Sequence, residues 1–189
     1  MSKKVPSTIT QPLGIRLLHW SLACTVTLLI ATGFYRAHPG WLDISLRTVR
    51  LIHSSAGFLL LIIVPVFTLY HILSGTWKDV FFLPQDLKKS PAFLKYVFFL
   101  RKSCPSVTKY NPGQKAIYTS WFFLFILQLI TGFMLYTHTF FSHFSMDRVI
   151  YLHYAATFGF VTILIHIYFV LTEDPAKLQS MFTGREKDP

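Results

Sequence analysis

The sequence predicts an all-α integral membrane protein, a bundle of four transmembrane helices in a single domain over residues 1–189. Four apolar segments of 19 to 24 residues contain no Asp, Glu, Lys or Arg, and each is long enough to cross the hydrocarbon core of a bilayer. Of all residues, 52% are hydrophobic and only 14% are charged, which is too few to cover a water-soluble domain.

The first two apolar segments each begin close to a histidine. The first segment, residues 17–35, has His19 near its start. The second, residues 51–74, has His53 near its start and His71 near its end. Ionisable side chains are costly within a membrane and usually mark a functional site, so these histidines are candidate site residues.

The last two segments follow a long polar connection, residues 75–115, which carries eight Lys or Arg. The third segment, residues 116–137, contains no histidine, whereas the fourth, residues 149–171, contains His153 and His166. Thirteen residues of unbroken helix place these two histidines about 20 Å apart, near opposite faces of the membrane.

The distribution of basic residues predicts the orientation of the chain. Fourteen of the 18 Lys and Arg lie in the N-terminal segment, in residues 75–115 and in the C-terminal segment. By the positive-inside rule, both termini and the connection 75–115 are cytoplasmic. The net charge of +10 is therefore assigned to topology and to lipid headgroups, and no nucleic-acid partner is expected.

The two cysteines predict neither a disulfide framework nor covalent haem attachment. Cys24 lies in an apolar segment and Cys104 in a loop, and the sequence contains no C-x-x-C-H motif. The first apolar segment is too long for the core of a signal peptide and no A-x-A-like site follows it, so no cleavage is expected.

Two short sequence similarities predict that the chain is a pair of helical hairpins. LLIATGFY in the first segment resembles LQLITGFMLY in the third, and VRLIHSSAGF resembles VIYLHYAATFGF at the starts of the second and fourth. Such a repeat places His53 and His153 at equivalent positions. Chance similarity in so biased a composition is the alternative.

The depths of the histidines predict two stacked haem sites. With the predicted orientation, His53 and His153 lie near the outer face, whereas His19, His166 and His71 lie near the inner face. Two haems b, each with two axial imidazoles from different helices, need such an arrangement. A histidine that only forms hydrogen bonds is the simpler alternative for any one of these, but four at two matched depths favour haem ligation.

Helix phase favours His19 over His71 as the inner partner of His166. An unbroken helix turns His166 about 140° away from His153, so the two cannot face the same neighbouring helix. His71 lies five helical turns after His53 and therefore faces the same way. His19 is therefore the favoured partner of His166, although a kink at Pro65 would change the direction that His71 faces. His71 is predicted instead to bond a haem propionate or to lie near a quinone.

Several motifs make the sequence similar to a known family. RLLHW opens the first segment and RLIHSSAG the second, KYNPGQKAIYTS precedes the third, and LHYAATFG and LIHIYF lie in the fourth. With these motifs the chain resembles the di-haem cytochrome b subunits of prokaryotes, above all the formate dehydrogenase gamma subunit and thiosulfate reductase cytochrome b group. The resemblance extends over residues 13–184, and residues 109–115 are its most specific part.

The resemblance implies the same haem ligands that depth and phase suggest. His19 and His166 would hold the iron of the inner haem b, and His53 and His153 the iron of the outer one.

The family also places a quinone, typically menaquinone, near the inner haem. The resemblance implies contacts from its Asn-x-Gly-Gln segment, here Asn111, Gly113 and Gln114. From the residues alone, Asn111 is predicted to cap the third helix, with Pro112 at the first helical position.

The resemblance implies electron transfer in the inner, cytoplasmic membrane of a prokaryote. Electrons would pass between an extracytoplasmic iron–sulfur or multihaem cytochrome subunit and the quinone pool near the cytoplasmic face. The sequence has no nucleotide, flavin or iron–sulfur cluster motif, so a separate catalytic subunit is expected. Charged residues of the outer loops are candidates for docking it: Arg47, Arg50, Asp147 and Arg148.

Two alternative functions are compatible with the same segments. One is a stand-alone di-haem cytochrome b that exchanges electrons between quinone and a soluble acceptor without a fixed partner. The other, from a different class, is a membrane anchor or a metal transporter whose histidines bind zinc or copper. Such a protein is colourless, and the sequence lacks the intramembrane carboxylates that transporters usually employ.

Overall fold

α-Helices dominate the computed structural model, which describes residues 11–98, 100–102, 110–141, 143–172 and 175–185. The helices within these residues are α1 (Leu13–Ala37), α2 (Leu46–Leu73), α3 (Trp77–Val80), α4 (Pro84–Val97), α5 (Pro112–Tyr136), α6 (Met146–Phe158), α7 (Thr162–Thr172) and α8 (Pro175–Thr183). A short 3-10 helix, Gly159–Val161, joins α6 to α7. Cys104, predicted to lie in a loop, and Lys109, at the start of the most specific motif, lie outside the described residues.

Four spans are long and apolar enough to cross a membrane. They are α1, α2, α5 and the stretch Met146–Thr172, which contains α6 and α7. Many of their large apolar side chains are exposed on the surface of the protein, where a bilayer covers them. The predicted all-α, four-span fold is therefore confirmed, and the protein is a multi-pass membrane protein.

The spans begin three to five residues before the predicted apolar segments. α1 includes Arg16, and α5 includes Lys115. Each predicted segment begins directly after a charged residue, because only the uncharged stretch was counted. A helix instead begins where its first N–H groups find caps. At α5 that cap is Asn111, which accepts a hydrogen bond from the backbone N–H of Gln114 at 2.8 Å, with Pro112 next in sequence. The predicted cap is confirmed.

The fourth span is not one unbroken α-helix, and that prediction is wrong. Its 3-10 turn begins at Gly159, where an added Cβ would lie 2.6 Å from a methyl carbon of Leu124. Phe160 is buried beside Phe125, with ring centroids 5.0 Å apart. Because a 3-10 helix has three residues per turn, a fixed angle per residue does not extend from His153 to His166.

The chain divides into two compact units. The first unit comprises Met1–Phe67 and Val161–Pro189, and the second comprises Thr68–Phe160. The predicted single domain over residues 1–189 stays a prediction.

In the first unit, α8 packs on the start of α1. Arg16 Nε and Trp20 Nε1 each donate to the carbonyl oxygen of Met181 at 3.2 Å, and Arg16 also donates to the carbonyl of Phe182. These are carbonyls of the last turn of α8, which have no partner within the helix and carry its negative partial charge. A guanidinium group is well suited to bind there, so Arg16 anchors the C-terminal helix.

Candidate functional site

In the first unit, α1 holds the imidazole of His53. Thr32 Oγ1 lies 2.9 Å from His53 Nδ1, and it also donates to the carbonyl of Leu28 at 2.6 Å. Since a hydroxyl has one proton, which goes to the carbonyl, it accepts from His53 Nδ1–H. The next residue, Gly33, allows the ring to approach, because a Cβ there would lie 3.4 Å from His53 Cε1.

In the second unit, α5 holds His153 in the same way. Thr131 Oγ1 lies 2.8 Å from His153 Nδ1 and donates to the carbonyl of Leu127 at 2.7 Å. A Cβ on the following Gly132 would lie 3.4 Å from His153 Cε1. His53 and His153 therefore occupy equivalent positions in their hairpins, as the internal repeat predicts.

The two threonines select a tautomer of each histidine. A proton held on Nδ1 leaves the lone pair of the neutral ring on Nε2, which is the nitrogen that then coordinates a metal. Hydrogen bonding at the far nitrogen also sets the ring orientation and makes the ligand more basic. In this tautomer, either ring would coordinate a metal through Nε2.

A polar side chain within the apolar α5 supports the backbone around His153. Gln128 Nε2 donates to the carbonyl of His153 and to Thr157 Oγ1, both at 2.9 Å. The Thr157 hydroxyl in turn donates to the same carbonyl of His153 at 2.9 Å. A buried amide without partners is costly in a membrane helix, so these bonds both stabilise Gln128 and position α6.

The predicted inner ligands lie in one unit. His19 on α1 and His166 on α7 are close enough for their imidazoles to interact electrostatically, and both are partly buried. The ring of Trp20 lies edge-on to His19, with centroids 5.6 Å apart. Because Trp20 also bonds α8, the C-terminal helix supports the segment that carries His19.

The other predicted pairings connect residues of different units. His53 belongs to the first unit and His153 to the second, so their shared haem stays a prediction. His71 belongs to the second unit, where its Nδ1 lies 2.7 Å from Thr76 Oγ1. Its predicted role beside a haem propionate or a quinone also stays a prediction.

The predicted quinone segment forms a reciprocal capping box. Asn111 Oδ1 accepts from the Gln114 N–H at 2.8 Å, and Gln114 Oε1 accepts from the Asn111 N–H at 3.0 Å. A Cβ on Gly113 would overlap the ring of Phe93, so glycine is needed for α4 to pack here. All three residues therefore have a structural role, and their contact with quinone stays a prediction.

A buried ion pair lies one residue beyond that segment. Lys115 Nζ lies 3.3 Å from both carboxylate oxygens of Asp86, and the two residues are only 3% and 4% exposed. The ammonium group also donates to the carbonyl of Lys78 at 3.1 Å. Lys115 thereby joins α3, α4 and α5.

The charged residues proposed for docking are all exposed at the predicted outer ends of the spans, namely Arg47, Arg50, Asp147 and Arg148. Their role in docking stays a prediction. Within the described residues, no group of three or more His, Cys, Asp or Glu could hold a bare metal ion.

Comparison with known families gives the decisive result. Residues 10–184 match the family described as prokaryotic cytochrome b561. The chain belongs to this family. No curated protein matches the chain significantly.

Membership in the prokaryotic cytochrome b561 family identifies the protein as a membrane haem protein that binds haem b and functions in transmembrane electron transfer. The histidine environments fit such a group. A haem with two axial histidines needs imidazoles whose orientation is fixed. The glycines Gly33 and Gly132 leave room for the imidazole rings of His53 and His153 beside α1 and α5. A specific relation to formate dehydrogenase or thiosulfate reductase subunits stays a prediction.

Sequence reasoning missed the residues that hold this cytochrome's histidines. Thr32 and Thr131 lie in the repeated stretches LLIATGFY and LQLITGFMLY, and the sequence assigned no role to either threonine. Gln128 had no role assigned from the sequence. The available signal was a Thr-Gly pair at the same place in both stretches, each facing a histidine of the following helix.

Proposed function

We propose that this cytochrome b transfers electrons between an extracytoplasmic oxidoreductase partner and the quinone pool near the cytoplasmic face. The proposed cofactors are two haems b, an inner one on His19 and His166 and an outer one on His53 and His153. The proposed location is the inner membrane of a prokaryote, with both termini cytoplasmic, because most Lys and Arg lie in those segments.

The observation that carries this proposal is the repeated arrangement of threonine, glycine and histidine. Two hairpins present a histidine with the same tautomer, the same hydroxyl acceptor and the same small neighbour. A histidine that is only packed in a protein core needs a hydrogen-bond partner. It does not need the same hydroxyl acceptor and the same neighbouring glycine in both hairpins. The proximity of His19 and His166 within the first unit supports a second pair of ligands.

The residues of the chain hold the ligands and keep them from rearranging. Haem b, when bound, supplies a one-electron iron(III)/iron(II) couple. His53 and His153 would hold the iron through Nε2, while Thr32 and Thr131 restrain their rings at Nδ1. Because the imidazole rings are already oriented, they would move less when the iron changes between its oxidised and reduced forms.

The proposed partners follow from the chemistry that the chain lacks. Without nucleotide, flavin or iron–sulfur motifs, the chain depends on an iron–sulfur or multihaem cytochrome subunit, with its catalytic subunit, to exchange electrons with a substrate. At the other end a quinone takes up two electrons and two protons. The segment of Asn111, Gly113 and Gln114, at the predicted cytoplasmic end of α5, is its proposed contact, because protons are drawn from that side.

The haem content of the purified protein tests the proposal. We expect two haems b per chain in a pyridine haemochrome assay and a b-type reduced-minus-oxidised spectrum. Fewer than two would overturn the four-ligand assignment, and colourless protein would favour the anchor or transporter. Co-purification of a redox subunit supports the proposed partner, whereas a pure chain that exchanges electrons with quinone supports the stand-alone cytochrome.

Replacing Thr32 by valine is expected to weaken the haem held by His53 without unfolding the protein. Valine has nearly the same shape but cannot accept from Nδ1–H, so the ligand loses basicity and its fixed tautomer. Loss of such a partner typically lowers affinity about 10–100-fold, and the midpoint potential should rise. Haem titration and a potentiometric titration of the α-band measure both effects.

Matched variants separate ligand support from general packing. Thr32→Ser keeps the hydroxyl and should retain the original potential. Thr27→Val, on the same helix, changes an exposed hydroxyl that donates to the carbonyl of Ala23 in its own helix, and it should also leave the potential unchanged. An unchanged potential in Thr32→Val would contradict the role of the Thr32 hydroxyl.

A further inference from the structure

One face of α4 exposes a row of apolar side chains. Leu87, Pro91, Leu94 and Phe98 recur at helical spacing and are all exposed, with Leu87 62%, Leu94 51% and Phe98 68% accessible. This set is called the α4 stripe. A neighbouring face of the helix carries Asp86, Ser90, Phe93 and Val97, which are buried or partly buried against α5 or its surroundings. The stripe is therefore separate from the face that packs in the protein.

Contacts with α5 show that α4 crosses the end of that helix. Asp86 contacts Lys115, and Phe93 lies against Gly113. Asp86 and Phe93 are about 10 Å apart along α4, whereas their partners are only about 3 Å apart along α5. Contacts over seven residues along α4 but only two along α5 favour an α4 that runs across the end of α5 over one that lies alongside it. Since α5 is a membrane span, this favours an α4 that follows the bilayer surface.

The level of α4 is that of the membrane interface. Its partners lie in the first turn of α5, and Phe82, two residues before α4, donates its N–H to Thr119 Oγ1 at 2.8 Å. Aromatic rings at this end of α5, those of Tyr118 and Trp121, are typical of the boundary between headgroups and acyl chains. These contacts favour a position of the α4 stripe near the depth where lipid headgroups meet hydrocarbon.

Basic side chains border the α4 stripe. Lys88 and Lys95 are both exposed, and they lie seven residues apart on the same side of α4, a quarter turn from the stripe. Arg101 and Lys102 follow and are also exposed. The one acidic residue of the helix, Asp86, is buried in its pair with Lys115. The exposed surface of α4 therefore has a positive charge beside an apolar row.

We propose that α4 is an interfacial helix that binds anionic phospholipid. The α4 stripe enters the boundary between headgroups and acyl chains, to a depth of about 5–10 Å, as amphipathic helices do. Lys88 and Lys95 extend their alkyl chains along this boundary and bind phosphate groups with their ammonium groups. Lipid thereby fixes the position of the capping box of Asn111 and Gln114, which α4 contacts through Gly113.

Site-directed spin labelling of the full haem-loaded protein tests this placement. Single labels at Leu94→Cys and Lys89→Cys, in a Cys24→Ala/Cys104→Ser background, are compared in vesicles of phosphatidylcholine with and without phosphatidylglycerol. Residue 94 belongs to the stripe, and residue 89 is exposed on the opposite side of α4. We expect the ratio of accessibility to oxygen over accessibility to a water-soluble nickel chelate to be several-fold higher at residue 94.

Charge variants test the role of the lysines. In vesicles with phosphatidylglycerol, Lys88→Glu/Lys95→Glu should lower the ratio of oxygen to nickel-chelate accessibility at residue 94. In vesicles of phosphatidylcholine alone, the same variant should change this ratio little. Lys89→Glu is the matched control and should have little effect, and unchanged haem content shows that each variant is folded. Equal ratios at residues 94 and 89 would overturn the proposal. A label at residue 94 shielded from both reagents would also overturn it, because protein would then cover the stripe.

Discussion

Haem b content is expected to fall from two per chain to one when His19 is replaced by alanine, and to stay at two when His71 is replaced. His19 and His166 interact electrostatically within one unit, and a haem that loses one of two axial imidazoles is no longer held as a low-spin centre. His71 has a hydroxyl partner, Thr76, in the connection between α2 and α3. A pyridine haemochrome assay with protein quantification measures the difference.

A third histidine variant shows whether the loss is specific. His38→Ala changes an exposed residue just beyond α1 and should retain both haems. Low-temperature spectra of His19→Ala should show which α-band component disappears. If His71→Ala loses a haem and His19→Ala does not, the inner pairing is wrong and His71 is the partner of His166.

Replacing Lys115 by alanine is expected to cause a large loss of stability. The change leaves the carboxylate of Asp86 buried without its cation, and breaking such a pair typically costs about 3–5 kcal/mol. It also removes the bond to the carbonyl of Lys78 that ties α3 to α5. Unfolding in a detergent titration, followed by circular dichroism, measures the change in free energy.

The double variant Lys115→Met/Asp86→Asn separates the pair from the packing. With both charges removed, no unpaired carboxylate is buried, so most of the stability should return. Lys95→Ala, an exposed lysine of α4, should change stability by less than about 0.5 kcal/mol. Equal losses in Lys115→Ala and Lys95→Ala would contradict a structural role of the buried pair.

The four spans could be predicted because the bilayer imposes length and composition on any helix that crosses it. The break in the α-helix at Gly159 could not be predicted, because a glycine is common in membrane helices and does not by itself indicate a break. Here it is the close approach of Leu124, from a helix distant in sequence, that requires the glycine. The position of α4 was also missed, since the ion pair and the Phe93 contact that hold it are tertiary.

The candidate site was predictable to the level of which histidines lie in apolar spans, but not how two of them are held. His53 and His153 stand out because ionisable groups in apolar segments are costly. Their partners Thr32 and Thr131 gave no such signal, because a threonine within a helix can bond its own preceding turn. In the structure each hydroxyl does so and also accepts from an imidazole of another helix, which only the packing of the hairpins creates.

The capping box at the start of α5 has a consequence for ligand recognition. Both side-chain oxygens, Asn111 Oδ1 and Gln114 Oε1, accept backbone N–H groups. Each amide also has an NH₂ group that can donate to a ligand, and each oxygen has a second lone pair. If the proposed quinone binds at this turn, its carbonyl oxygens would meet these donors. The quinone oxygens only accept hydrogen bonds, so the NH₂ groups are the part of this turn that would suit the oxidised form.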